Sequence, residues 1–283
     1  MKGALILCGT PIGNLEDISA RGIRALTEAD VIACEDTRRT RKLLSHHGVK
    51  APELVVYNEG NERVQAPKLA ERIAKGRRVV LVSDAGMPGL SDPGYRLVKA
   101  CIGVGAPVEV VPGPSAPVTA LAISGLPTGR FAFEGFLPRR SAERRRRIAE
   151  LVHEERTLVL FESPHRIEES LGDLLEGLGD RPAALARELT KLHEEVRRGR
   201  LSELLAGARE VPVRGEIVLV ISGATGVHRA EVSPEELARR ARALMDSGLE
   251  RKEALHTVAQ EAGVARRKVF DALVRPDDDA ASP

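Results

Sequence analysis

Short apolar runs rich in Val, Ile and Leu punctuate the first 113 residues: ALILCGT (4–10), VIACED (31–36), LVVYN (54–58), RVVLVS (78–83) and VEVVPG (108–113). Between them lie ISARGIRALTEAD, QAPKLAERIAKG and YRLVKACIGVG, whose apolar residues recur at helical spacing. Strand-like runs alternating with helical ones predict β-α-β units, hence a largely parallel sheet covered by helices on both faces. After residue 113 the pattern changes. FAFEGF, TLVLFES, PAALAREL, EEVRRGR and EIVLVIS read as short strands, with helices over SAERRRRIAELVHEE and RIEESLGDLLEGLG between the earlier ones. The later strands crowd together, which predicts antiparallel or mixed pairing. Ser233-Pro234-Glu235-Glu236 is a capping box with Pro at the first helical position. It opens a helical stretch to about residue 275, within which RKEALHTVAQEAGVARRKVFDALV has a helix-turn-helix outline turning at Gly263. The expected fold class is therefore α/β, with an N-terminal domain over 1–113, a second α/β domain over 114–224 and a helical extension over 233–275. The final DDDAASP is expected to be a frayed tail.

With 283 residues and 42% hydrophobic content, the chain can bury more than one core. No window approaches 18 consecutive apolar residues, and MKGALILCGTPIG reaches a turn before any signal-peptide pattern develops, so a cytoplasmic protein without a membrane anchor is expected. Cys8, Cys34 and Cys101 lie in or beside apolar segments without C-x-x-C spacing and read as buried thiols. Net charge is only +2, but cations bunch: RRTRK at 38–42, and six Arg against one Glu in RRSAERRRR at 139–147. Such runs are either solvated helix faces or phosphate-contacting patches. Aromatics make up 2% of the chain, which argues against extensive base-stacking platforms and for contacts through phosphate and shape.

The chemistry-bearing residues gather at strand ends. CGTPIGNLED follows the first strand, CEDTRRTRK the second, SDAGMPGLSDPG the fourth and PGPSA the fifth. Loops leaving one edge of an open sheet converge on one crevice, where such folds bind ligands. There is neither a G-x-G-x-x-G dinucleotide fingerprint nor a P-loop, and no His or Cys stands at metal-ligand spacing, so no catalytic metal is expected. Glu35 and Asp36 fall at a strand end, and Thr37 is a candidate helix cap ahead of Arg38, Arg41 and Lys42 on one face. FESPHR and RELTKLHEE add Glu162, His165, Arg166, Arg187, Glu188 and Lys191 near strand ends in the second half.

Taken in order, GTPIGNLEDIS, CEDTR, SDAGMPGLSDPGY, PGPSA, ESPHR and RELTKLHEE resemble the ribosomal RNA small subunit methyltransferase I family of the tetrapyrrole methylase superfamily over nearly the whole chain. The resemblance implies a two-domain fold with S-adenosyl-L-methionine in the cleft, a homodimer, and methyl transfer to the ribose 2′-hydroxyl of a cytidine in the decoding region of 16S rRNA, free or in the small subunit. Carried over, the cofactor would be bordered by Thr10 and Pro11, by Asp84, Ala85, Gly86 and Met87, and by Ser115 and Ala116. Met87 stands where many relatives have Thr, which leaves a backbone contact there. Glu35, Asp36, Glu188 and a Lys191 of depressed pKa are each chemically able to take the hydroxyl proton, with Glu35 and Lys191 ranked ahead. The expected RNA footprint is Arg38, Arg39, Arg41 and Lys42 with His165 and Arg166 near the cleft, and Arg139, Arg140, Arg144 and Arg145 further out. Two rivals remain open at this point: an enzyme of the same fold acting on a small molecule or a translation-factor side chain, and a non-catalytic ribosome-assembly factor.

Overall fold

A computed structural model describes residues 3–224, 233–262 and 264–274. The chain divides into two compact units at Gly223. In the larger unit, β1 (Ala4–Cys8), β2 (Val31–Cys34), β3 (Glu53–Val56), β4 (Arg78–Leu81) and β5 (Val108–Val111) form a sheet in the order β3-β2-β4-β1-β5. Every pairing in it is parallel. Strands β1, β2 and β4 are buried on both faces, as continuous Val/Ile/Leu runs require. One face packs Ile6, Leu26, Ile32 and Leu44 under α1 (Ala20–Thr27) and α2 (Thr37–His46). The other packs Leu5, Leu69, Ile73 and Leu97 under α3 (Glu62–Ala74) and α4 (Tyr95–Gly103).

The second sheet contains β6 (Phe131–Phe136), β7 (Thr157–Glu162), β8 (Pro182–Arg187), β9 (Glu195–Arg200) and β10 (Ile217–Ile221) in the order β6-β7-β10-β8-β9. Only β6 and β7 run parallel; β10 is antiparallel to both neighbours, and β8 to β9. The mixed pairing expected from crowded strands is therefore present. Two helices escape the pattern reading. One, α5 (Ala116–Ile123), is apolar all round and so lacks a one-sided period; it lies against β7 and β10. The other, over Leu201–Glu210, buries Leu201, Leu204, Leu205 and Ala208 at helical spacing but follows β9 without a break, so the strand run hides its start. In chain order it is α8, after α6 (Ser141–Glu150) and α7 (Ile167–Leu178).

A further apolar cluster ties the two halves of this unit. Ile12 from the loop after β1 and Ala120 and Leu121 of α5 pack on Val159, Ala184, Ala186, Val218 and Val220 of the second sheet. Gly13 belongs to the same joint: an added Cβ would lie 2.5 Å from Lys191 Cγ and 2.8 Å from the Leu189 carbonyl oxygen. The Asn14 N–H donates to Thr190 Oγ1 at 3.0 Å beside it.

The second unit is helical: α9 (Pro234–Asp246), α10 (Arg251–Ala262) and α11 (Arg266–Val274) enclose Leu237, Ala241, Leu255, Val258 and Val269. Ser233 caps α9 as expected, its hydroxyl accepting from the Glu236 N–H at 3.2 Å. Gly263 and the tail over 275–283 lie outside the described residues.

Candidate active site

Loops from the carboxyl ends of β1, β2, β4 and β5 meet in one crevice, as the sheet topology dictates. Its hinge is an isolated bridge in which Thr10 N–H donates to the Gly86 carbonyl at 2.9 Å and Gly86 N–H to the Thr10 carbonyl at 3.1 Å. Gly86 sits at φ +86°, where a side chain would be strained. The buried Thr10 hydroxyl donates to the Ser83 carbonyl at 3.1 Å, so Thr10 ties the first loop to the third. Gly9 and Gly113 touch backbone to backbone at the ends of β1 and β5, where an added Cβ on either would come within 2.8 Å of the other.

Two adjoining cavities occupy the crevice. One, of about 370 Å³, is walled by Ile12, Met87, Leu90, Ala116, Pro117, Phe136, Phe161 and Val218, with Glu35, Asp84, Asp92 and Glu162 supplying carboxylates. Ala85, Gly86 and Ser115 also line it. The other, of about 420 Å³, is lined by Thr10, Pro11 and Gly13 and carries the cations Arg39, Lys42 and Lys191. They share Ile12, Arg39, Asp84, Ala85 and Glu216, so an acidic and apolar chamber opens beside a cation-lined one.

The acidic chamber is organised by its own hydrogen bonds. The Asp84 N–H donates to Glu35 Oε1 at 3.2 Å, and the Asp36 N–H to Asp84 Oδ1 at 3.1 Å. Burial pushes the Glu35 carboxyl up, an effect the Asp84 N–H partly offsets. Asp92 is raised further, to about 7, by burial and then by the Glu35 charge, against a hydrogen bond from Ser83. Sequence reasoning does not single out Asp92, although it stands in the same SDAGMPGLSDPG stretch as Asp84. Glu162 is fully enclosed: it accepts from the Ser170 hydroxyl at 2.5 Å, the Ser163 N–H at 2.8 Å and Arg166 at 3.3 Å.

Three expectations need correction. Asp36, not Thr37, caps α2; its carboxylate accepts from the Arg38 N–H at 2.8 Å and pairs with the Arg38 guanidinium, which hold it at about 2. It lines neither cavity, and a carboxylate so engaged is a poor proton acceptor. Lys191 does not have a depressed pKa. Burial lowers it, but the carboxylates of Glu188 at 2.8 Å and Glu216 at 3.2 Å outweigh that and hold it above the usual lysine value. Lys191 is a fixed cation at neutral pH, and Glu188, whose carboxyl is lowered first by Lys191 and then by the Glu216 N–H, is its anchor. Finally, Arg144 is only 3% exposed and pairs with Asp173 at 2.6 Å, holding α6 on α7. Arg166 is likewise turned inward, donating to the carbonyls of Leu137 and Pro138.

The other expected cations divide by their surroundings. Arg38, Arg39, Arg41 and Lys42 form the exposed face of α2 beside the cation-lined cavity, and His165 is exposed next to Pro164 of the acidic chamber. On α6, Arg140 pairs with Glu143 and Arg145 with Asp173, while Arg139 is exposed. Among the described residues no group of His, Cys, Asp or Glu has metal-site geometry. All three cysteines are free and buried, and burial raises the Cys8 and Cys101 thiols to about 11. No helix among the described residues is long and apolar enough to cross a membrane.

A chamber with apolar walls for a flat heterocycle and carboxylates for hydroxyl, ammonium and sulfonium groups suits S-adenosyl-L-methionine by the chemistry of its lining. Together with the paired five-stranded sheets, it defines a methyltransferase of the tetrapyrrole methylase class. The profile of the family described as Tetrapyrrole (Corrin/Porphyrin) Methylases matches residues 4–205. A protein named Ribosomal RNA small subunit methyltransferase I from Halalkalibacterium halodurans is 44% identical over 277 residues, covering 95% of this chain and 94% of that one. Its namesake from Mycobacterium tuberculosis is 46% identical over 285 residues, covering 100% and 98%. Uroporphyrin-III-C-methyltransferase from Thermus thermophilus superposes with a TM-score of 0.54 at 26% identity, over 80% of this chain and 97% of that one. A diphthine synthase structure shares the fold, with a TM-score of 0.57 at 18% identity over 77% and 90%. The chain belongs to the ribosomal RNA small subunit methyltransferase I family, within the tetrapyrrole methylases. It is an S-adenosyl-L-methionine-dependent methyltransferase, and the reading as a non-catalytic assembly factor falls away.

Proposed function

We propose that this enzyme methylates ribosomal RNA in the cytoplasm, at the ribose 2′-hydroxyl of a cytidine in the decoding region of 16S rRNA, free or within the small subunit. The observation that carries the reading is the confluence of the two cavities: a cofactor-type chamber shares a wall with one lined by Arg39, Lys42 and Lys191. Guanidinium and ammonium groups at that rim suit the phosphodiesters of a polynucleotide. The names of the relatives support the same substrate.

In this reading Ala85, Gly86, Met87, Ser115 and Ala116 hold S-adenosyl-L-methionine and Asp84 offers a carboxylate to its polar groups, while Thr10 and Pro11, expected to border the cofactor, line the neighbouring cation-lined cavity instead. Once bound, the cofactor supplies a methyl group activated by a positively charged sulfur. The protein's tasks are then to align the acceptor oxygen and to take its proton. Glu35 takes the proton: it lines the acidic chamber, and its burial makes it a stronger base than an exposed carboxylate. Lys191, fixed by Glu188 and Glu216, places a cation beside the incoming phosphate. Arg38, Arg39, Arg41, Lys42 and His165 make the near footprint, with Arg139 and Arg140 at its periphery, while Arg145, already paired with Asp173, stays outside it. Arg144 and Arg166 have no part in it, being held by protein partners.

A homodimer forms part of the same proposal. Ile102, Val104, Val108 and Val110 expose apolar side chains along the end of α4 and the edge strand β5, which suits burial against a second copy. Light scattering should return twice the 30.6 kDa chain mass, and V110E should reduce it to the monomer. The substrate itself is tested by incubating the enzyme with radiolabelled S-adenosyl-L-methionine and small subunits lacking the modification, beside naked 16S rRNA and corrin precursors. Label on a decoding-region cytidine ribose supports the reading; label only on the corrin, or on none, overturns it.

A further inference from the structure

In a chain with five phenylalanines, three cluster together, and two of them, Phe136 and Phe161, line the acidic chamber. Phe133 and Phe161 meet edge to face with ring centroids 5.2 Å apart, and Phe136 leans on Phe161 at 5.3 Å and 45°. Phe133 and Phe161 are half-buried against the apolar cluster that joins the two halves, while Phe136, the outermost, is 58% exposed. The backbone is arranged to put it there. Strand β6 carries a bulge between Phe133 and Gly135, after which Phe136 pairs with Phe161. In a regular strand over the same residues, side-chain alternation would put Phe136 on the face opposite Phe133; the bulge brings both to one face. Gly135 takes φ +63°, and Ser91 of the facing loop takes φ +61°; an added Cβ on Gly135 would sit 3.2 Å from Ser91 Oγ. The bulge thus abuts the loop that carries Leu90, itself 53% exposed and lining the same chamber. Two apolar side chains, one from each half of the unit, stand at one rim.

Exposed apolar side chains at a chamber mouth have no folding role that burial would reward. Drawing an acceptor ribose into a walled chamber, rather than along its surface, takes the nucleotide out of the base stack, and the unstacked base then needs a new face to lie against. On the footing of the proposed rRNA substrate, we infer that Phe136, opposite Leu90, is the stacking surface for the base of the methylated nucleotide. The scarcity of aromatics argued against a stacking surface, but one well-placed ring meets the need of a single extruded base. Phe136 is a positioning residue in this assignment: its ring holds the extruded nucleotide without choosing its base, since every base offers a π-face.

The test begins with the unaltered enzyme and small subunits lacking the modification. If no RNA is labelled, the substrate reading fails and this inference with it; if RNA is labelled, F136A and F136W test the ring alone. F136A should lower kcat/KM for the subunit by about 10- to 100-fold, the usual range for loss of one base–aromatic stack, and F136W should restore most of it. Calorimetric binding of S-adenosyl-L-methionine to F136A should weaken far less than kcat/KM, since Phe136 contributes only an exposed rim to the chamber that the other walls enclose. Equal loss of cofactor affinity and turnover would make Phe136 a cofactor wall and overturn the inference, as would an F136A enzyme with unchanged kcat/KM. A photo-crosslinking benzoylphenylalanine at position 136 gives a readout without turnover. Attachment to the methylated nucleotide or its immediate neighbour is the expected result, and attachment elsewhere in the RNA, or none, overturns the assignment.

Discussion

Glu35 and Asp92 share one chamber yet answer different questions. For Glu35 the question is turnover: removing a general base costs about 100-fold or more in kcat, so E35Q should show that loss while binding S-adenosyl-L-methionine normally. Full activity in E35Q would return the proton to another acceptor. For Asp92 the question is stability. An unfolded Asp ionises near about 3.9, whereas the folded protein holds this one protonated to about 7. Between those values the folded state binds the proton more tightly, so stability falls as pH rises from about 4 and levels off above about 7. An amide in place of this carboxyl has no proton to lose, so D92N should gain on the unaltered protein through that window. The gain should reach roughly 2 kcal/mol by pH 8, the full linkage value being discounted for partial solvent access. Urea denaturation of both proteins between pH 5 and 8 measures it, and a difference that stays flat with pH would show that Asp92 does not titrate there. The carboxylate of Asp84 was legible from its loop. What Asp92 does was not, because its proton affinity comes from enclosure and from Glu35, distant in the chain and adjacent only in the fold.

Helix α6 shows how a charged element is held rather than displayed. Four of its ten residues are Arg, and a sequence scan reads them as a patch for phosphate. In the fold Arg144 points inward to Asp173, Arg145 flanks the same carboxylate at 2.9 Å, Arg146 pairs with Glu150 and Arg147 with Glu134 and Glu150. Burial pulls the Asp173 carboxyl up, but the two guanidiniums outweigh it and keep it ionised. D173A would leave the Arg144 guanidinium with the exposed Glu169 and the Arg139 carbonyl as its partners, and should cost about 3 kcal/mol in chemical denaturation. R145A breaks the exposed half of the arrangement and should cost less than about 1 kcal/mol. Equal costs would mean that the buried pair has no special weight. The elements themselves were largely readable, since both sheets and most helices follow from the change of hydrophobic period. The exceptions were an apolar helix, α5, and α8, which starts where β9 ends. Partnership between elements was not readable: nothing in RRSAERRRR says that Asp173, on the following helix beyond an intervening strand, takes one of its cations.

Across the molecule, a net charge of +2 with many internal ion pairs leaves few cations for a polyanion. The exposed group concentrated beside the cleft is that of α2, with Arg38 partly committed to Asp36 and Arg39 to Asp84. Binding to a small subunit should therefore release few counterions. About four phosphate contacts give a slope of log affinity against log salt near −3, far shallower than a basic arm would produce. Substituting Arg39, Arg41 and Lys42 together by Ala should flatten that slope by about 2 and weaken binding at low salt most, because those three side chains border the cation-lined cavity or its helix face. R145A and R146A should leave the slope within about half a unit, since their guanidiniums already face Asp173 and Glu150. Filter binding of the enzyme to unmodified small subunits over a range of potassium chloride concentrations separates these cases. If the α6 substitutions flatten the slope as much as those on α2, the ion pairs open on contact with RNA and the footprint extends to the outer helix. If neither set changes it, the affinity lies in the helical second unit, whose α11 begins Arg266-Arg267-Lys268.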